Sequence, residues 1–272
     1  MPDISNTFDW IVNMRISAFF MPFFAIIAGA AGFYLRLTEL LSVFDARGLP
    51  ERGAGITFVL AGLSVAYLLV VFVFALRAGI KFTAPQGFNK AFGVETPSYP
   101  TVFFFIGILW FGGTIKHFLD LNAGGDIPLS ELCFSVLSAL SAISVSLFAF
   151  ETYQDRRLRS RLALCAVPTL FMCFWLMLFY RQNASNPILL SYCYQCLAII
   201  SSALGFYFTS GFVYNRPTPG KAIFAYYAAI FFCLVTLADE HDLSVRIIFI
   251  AIITINVIHS SMLLKNMHRR AD

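Results

Sequence analysis

Apolar residues run through this chain in eight long blocks, each broken after about 25 to 30 residues by a short polar hinge. Stretches such as 58–76 and 247–264 contain no Asp, Glu, Lys or Arg. At 1.5 Å per residue they are long enough to cross roughly 30 Å of hydrocarbon. The pattern predicts an all-α fold: a polytopic integral membrane protein whose eight transmembrane helices form a single transmembrane domain over residues 1–272. The spans fall at about 16–41, 53–78, 99–119, 128–150, 161–180, 187–213, 221–238 and 243–265. Pro100, Pro128 and Pro187 stand at or near helix starts, where the missing N–H costs little. Pro22 and Pro168 lie inside spans and are expected to bend them.

The polar hinges alternate in charge, and this sets the orientation. Arg15, Arg77, Lys81, Lys90, Arg156, Arg157, Arg159, Arg161, Arg216, Lys221, Lys265, Arg269 and Arg270 all fall on one side of an eight-span chain. Asp45, Glu51, Asp120, Asp126, Glu131, Asp239, Glu240 and Asp242 fall on the other. Basic residues collect on the cytoplasmic side, so both termini are expected there, in the plasma membrane. Arg15 followed by an apolar run and Ala28-Gly29-Ala30 imitates a signal peptide, but Asp3 and Asp9 spoil its leading region and the apolar run continues to Leu35, so the first span is expected to be retained.

Composition agrees with this class: apolar residues make up 59% of the chain and charged residues 12%, and the mean hydropathy is +0.77. No hinge approaches the roughly 50 residues of a separate soluble domain, so any chemistry is expected within the membrane or at its faces. The net charge of +4 reflects orientation at span ends and implies no nucleic-acid partner. The six cysteines lie inside spans and do not read as a disulfide framework.

The first and fifth spans share a spacing. Pro22 precedes Tyr34 by twelve residues and Pro168 precedes Tyr180 by twelve, with a Phe before each Tyr and Arg36 or Arg181 after it. A duplication would give two four-helix halves in parallel orientation. Ala25, Ala28, Gly29 and Gly32 in the first span, and Ser135, Ala139, Ala142 and Ser146 in the fourth, make small-residue faces expected to let helices approach closely.

Polar residues within spans are the candidates for chemistry. Asn256 and His259 share one face of the eighth span at a depth where polar groups are expensive, and Gln195 belongs to a polar stripe of the sixth span with Ser191, Ser202 and Thr209. These three, Gln195, Asn256 and His259, are the candidate substrate contacts. Arg36 and Glu39 read as an interfacial pair in which Arg36 snorkels to the surface. His117 and Asp120 at one outer hinge, with Asp239, His241 and Asp242 at another, offer ligands for an extracytoplasmic divalent cation if the hinges meet, and His117 with His241 a weaker haem pair. Cys193 and Cys196 form a C-x-x-C that would suit thiol or quinone redox exchange.

No Asp or Glu lies at mid-span and every Lys sits at a span end, which argues against proton relays and a retinal Schiff base; there is no phosphate loop or H-E-x-x-H. Three functions follow in order. The first is a carrier or permeation pathway for a small solute, with no catalysis and no cofactor. The second is a membrane anchor or sensor subunit docking an acidic protein partner or anionic lipid at the basic loop 156–161. The third is an intramembrane redox protein.

Overall fold

In the computed structural model, residues 4–43, 55–123, 125, 128–155, 158–185 and 188–269 are described, with the side chains of 4–16, 158 and 269 outside that description. The helices among them are α1 (Ile4–Ser42), α2 (Gly55–Lys81), α3 (Phe88–Phe92), α4 (Ser98–Ala123), α5 (Leu129–Tyr153), α6 (Leu158–Asn183), α7 (Leu189–Val213), α8 (Pro219–Thr236) and α9 (Leu243–Asn266). All but α3 are long and apolar enough to cross a membrane, at positions close to the eight expected spans, so the fold is consistent with a multi-pass membrane protein. Strands β1 (Phe82–Thr83) and β2 (His268–Arg269) pair antiparallel and tie the hinge after α2 to the C-terminal segment.

Helix α8 is the hub. It packs against α1, α2, α7 and α9, while α4 and α5 lean on each other and on α9 and α6. Its sequence explains its place: from Ala222 to Val235 small and aromatic residues alternate so closely that nearly every side chain is buried, with no polar face to turn outward. The first four spans do not form a bundle of their own, since α1 and α2 join α8 while α4 joins α9. The first and fifth spans also diverge: Tyr34 and Tyr180 are both exposed, but Arg36 is buried and Arg181 is exposed.

The small-residue faces bring helices into close approach. A Cβ added at Gly29 would stand 2.5 Å from Leu234 Cδ1, and one at Gly32 would stand 2.6 Å from Val235 Cγ2, so these glycines bring α1 against α8. On α5, Ser146 Oγ occupies the space that a side chain at Gly107 of α4 would need, and Ala142 is 1% exposed.

The bundle has two chemically distinct ends. One carries β1, β2, α3 and the starts of α4, α6 and α8. There Asn266 Nδ2 donates to Ala91 O at 3.2 Å and Arg161 reaches Asn89, fastening α3 to α9 and α6. The opposite, acidic end gathers Glu39, Glu131 and Asp239. Helix α3 has no counterpart among the expected spans. It turns a hinge residue run inward, burying Phe88, Ala91, Phe92 and Val94, and Gly87 and Gly93 flank it with φ of 85° and 59°.

Candidate functional site

At the acidic end the sequence places a cation in the first span, and the fold brings two carboxylates to it. Arg36 is fully buried, which corrects the expectation that it snorkels to the surface. Its Nη1 donates to Glu39 Oε2 at 2.7 Å, its Nε to Asp239 Oδ1 at 2.7 Å and its Nη2 to the Ser191 carbonyl at 3.1 Å. The guanidinium also lies 5.3 Å from the centre of the Tyr194 ring. A partner within the protein competes with snorkelling because a charge-assisted, multidentate set of bonds in low dielectric satisfies the guanidinium better than one reach to the interface.

Thr236 Oγ1 donates to Asp239 Oδ2 at 2.8 Å and lies 3.0 Å from His241 Nε2. Since that hydroxyl proton is given to the carboxylate, His241 Nε2 carries the hydrogen that Thr236 Oγ accepts. Burial pushes the His241 imidazole below its ordinary range, against the pull of nearby Asp239. Two carboxylates thus share one guanidinium, and Glu39 Oε1 is buried without a hydrogen-bond partner.

The other expected cation ligands are engaged separately. His117 Nε2 lies 3.3 Å from Glu131 Oε2, and Asp120 pairs with Lys116 at 2.5 Å on the exposed face of α4. Asp239 and His241 share the Thr236 hydroxyl, and no group of three or more His, Cys, Asp or Glu side chains converges as a ligand set among the described residues. Cys193 and Cys196 are half-buried free thiols near this end.

An aromatic column runs inward from the cluster. His241 lies 5.7 Å from Phe249, Phe249 lies 4.9 Å from Trp175, and Trp175 lies 5.6 Å from Phe171. Phe171 is 5.8 Å from Trp110, and Trp110 is 6.1 Å from Phe206. Trp110 is fully buried and donates through Nε1 to Ser138 Oγ at 3.0 Å, which is in turn 2.7 Å from Thr114 Oγ1. The Trp110 indole N–H is therefore satisfied within the protein, and packed rings fill this stretch.

Below the column is a chamber built around His259. The imidazole is 4% exposed and boxed by Phe92 at 5.1 Å, Phe103 at 5.2 Å, Tyr226 at 6.0 Å and Phe88 at 6.2 Å between ring centres. Its Nε2 has no hydrogen-bond partner. Beside it lies a cavity of about 30 Å³ touching Phe148, Cys165, Pro168, Phe206 and Thr209. Pro168 has no N–H to give the Leu164 carbonyl, and both residues face this cavity. Tyr226 Oη donates to Thr209 Oγ1 at 2.7 Å, while Thr209 donates to Gly205 O at 2.8 Å.

Asn256 lies one turn from His259 on α9, is 2% exposed, donates to Ile252 O at 2.8 Å, and fits against α7 because Gly205 has no side chain there. Gln195 is half-buried near the opposite end of α7, roughly 15 to 20 Å along the bundle axis from the other two. Asn256 is one turn from His259 but does not line its cavity, and Gln195 lies at another level. The stripe on α7 is a seam with α8: Ser202 lies 3.4 Å from Cys233 Sγ and Thr209 meets Tyr226.

At the C-terminal end a polar vestibule of about 320 Å³ opens, lined by Gln86, Asn89, Lys90, Asp155, Arg161 and Asn215. Phe88 and Phe148 form its floor, in edge-to-face contact at 4.9 Å, and the same two side chains border the His259 chamber. A wall one phenylalanine pair thick separates the two spaces. Of the basic loop, Arg156 and Arg157 lie outside the described residues, Arg159 is exposed, and Arg161 meets Asp155 at 3.2 Å and Asn89 at 3.3 Å.

Sequence reasoning found His259 but missed its box. The spacing of Phe88, Ala91 and Phe92 in a basic hinge, apolar at i, i+3 and i+4, is the signal that would have found α3. The link from Arg36 to Asp239, 203 residues apart, has no local signal. No protein-family model matches the sequence, and no curated protein or solved structure matches it.

Proposed function

We propose that the protein is a multi-pass membrane carrier for a small neutral or weakly polar solute, with His259 as the central solute contact and the closed chamber as its occluded form. One observation carries this reading: the unpaired His259 Nε2, buried beside a small cavity that a single aromatic wall separates from a polar vestibule. An unsatisfied nitrogen in low dielectric is costly, and a passing hydrogen-bond donor or acceptor offsets that cost. The Arg36–Glu39–Asp239 cluster and the aromatic column close the acidic end, and α3 closes the other. The charge asymmetry of the hinges supports a cytoplasmic vestibule in a plasma-membrane protein. No carboxylate bonds to His259 among the described residues, which favours facilitated passage over proton coupling.

The cavity holds about one water-sized group, so larger solutes require the Phe88–Phe148 wall to part. The test is flux into proteoliposomes for water, urea and glycerol. A His259→Ala variant that elutes and melts like the wild type is expected to lose roughly tenfold of the flux that the wild type supports, the effect of one lost hydrogen bond in a dry site. Equal flux in wild type and variant, or none above empty liposomes in either, would reject the carrier reading.

A further inference from the structure

The vestibule carries a second chemistry, independent of whether anything crosses the bundle. Arg161 uses only Nη1 in its contacts with Asn89 Oδ1 and Asp155 Oδ1, and its Nε is buried without a hydrogen-bond partner. Nη2 has no partner among the described residues and is not closed off as Nε is, so it is the guanidinium nitrogen left to donate to an oxyanion. Lys90 stands exposed in the same lining and makes no hydrogen bond or ion pair among the described residues. Asp155 is the countercharge, but its side chain is 77% exposed and screened by solvent, so the vestibule keeps a net positive charge. Asn89 Nδ2, occupied by Thr152 O at 3.2 Å and Asp155 Oδ1 at 3.3 Å, holds the Arg161 contact rigid from α3.

We infer that the vestibule binds a phosphate-class oxyanion, held by the unengaged Nη2 of Arg161 and completed by Lys90 at the rim. At the C-terminal end of an apolar bundle, such a group comes either from the headgroup of an anionic phospholipid or from free phosphate.

The experiment uses the full chain in nanodiscs of neutral phosphatidylcholine. In one arm inorganic phosphate is titrated and binding followed by calorimetry and thermal shift. In the other, phosphatidylglycerol replaces part of the lipid and retained lipid is counted by native mass spectrometry. Binding of phosphate in neutral discs identifies a soluble ligand; retention of phosphatidylglycerol without phosphate binding identifies the lipid headgroup. In either case Arg161→Gln is expected to weaken binding roughly 10- to 100-fold, as a lost charge-assisted pair does, with Arg161→Lys between it and the wild type. Lys90→Gln serves as the companion variant because it removes a charge without breaking a bond in the fold, and a weakening is expected there too. The inference is overturned if neither ligand binds, or if binding is unchanged in both Arg161→Gln and Lys90→Gln.

Discussion

Replacing Arg36 by Met is expected to destabilise the bundle by about 3–5 kcal/mol, the cost of leaving buried charge without its partner. Met keeps most of the volume, so the loss is electrostatic. Glu39 is fully buried and Asp239 is 7% exposed, and without the guanidinium Glu39 loses its ion-pair partner while Asp239 keeps the Thr236 hydroxyl as its side-chain donor. The helix pair most affected is α1 with α8, because the Arg36–Asp239 bond clamps their acidic ends together while Gly29 and Gly32 set the spacing below. A triple variant, Arg36→Met with Glu39→Gln and Asp239→Asn, removes the charges together and is expected to recover most of the loss, since a buried ion network replaced whole is often near neutral. Thermal unfolding followed by tryptophan fluorescence gives the measurement. A single variant as stable as the wild type would mean that the cluster is hydrated and contributes little.

Trp110→Ala is expected to cost roughly 3 kcal/mol, the scale of a large-to-small core substitution. Lipid solvates an exposed indole nearly as well as the core does, so the transfer contribution is smaller than in water. What remains is the void, the lost contacts with Phe171 and Phe206, and the hydrogen bond to Ser138 Oγ at 3.0 Å. Trp110→Phe keeps most of the ring contact and loses only the Nε1 donor, so it is expected to lose about 1 kcal/mol. Unfolding curves of the two variants side by side check the ordering; equal losses would mean that the indole contributes through its hydrogen bond alone.

The spans were legible because eight uncharged stretches of sufficient length have no other economical reading. The small faces of α1 and α5 were legible for a similar reason: glycine and alanine at helical spacing have one common use in an apolar bundle, and Gly29 and Gly32 meet α8 as that use requires. Pro22 and Pro168 are both inside helices as the spacing predicts, yet the resemblance between their spans stops at Arg36, which finds Asp239, and Arg181, which pairs with no carboxylate among the described residues and is exposed.

The site was legible only in its polar members. His259 and Asn256 stood out as costly residues in an apolar helix, whereas the rings around His259 come from α3, α4 and α8 and are indistinguishable in sequence from the exposed phenylalanines. Gln195 shared a stripe with Thr209, but a stripe runs the length of a helix, and its members reach different depths. Arg36 was misjudged because Glu39 supplied a sufficient partner three residues away, and periodicity carries no information about the hinge after α8.

The most direct test of the closed chamber uses Cys165, which borders the cavity beside His259 and is 7% exposed. With the other five cysteines replaced by serine or alanine, a membrane-impermeant maleimide is applied from each side of sealed vesicles. Slow labelling of the wild type, clearly faster labelling in Phe88→Ala or Phe148→Ala, and acceleration only from the side bearing the C-terminus is the result expected. Cys165 equally unreactive in all three chains, or labelled faster from the acidic side, would contradict a chamber walled off from the vestibule by that phenylalanine pair.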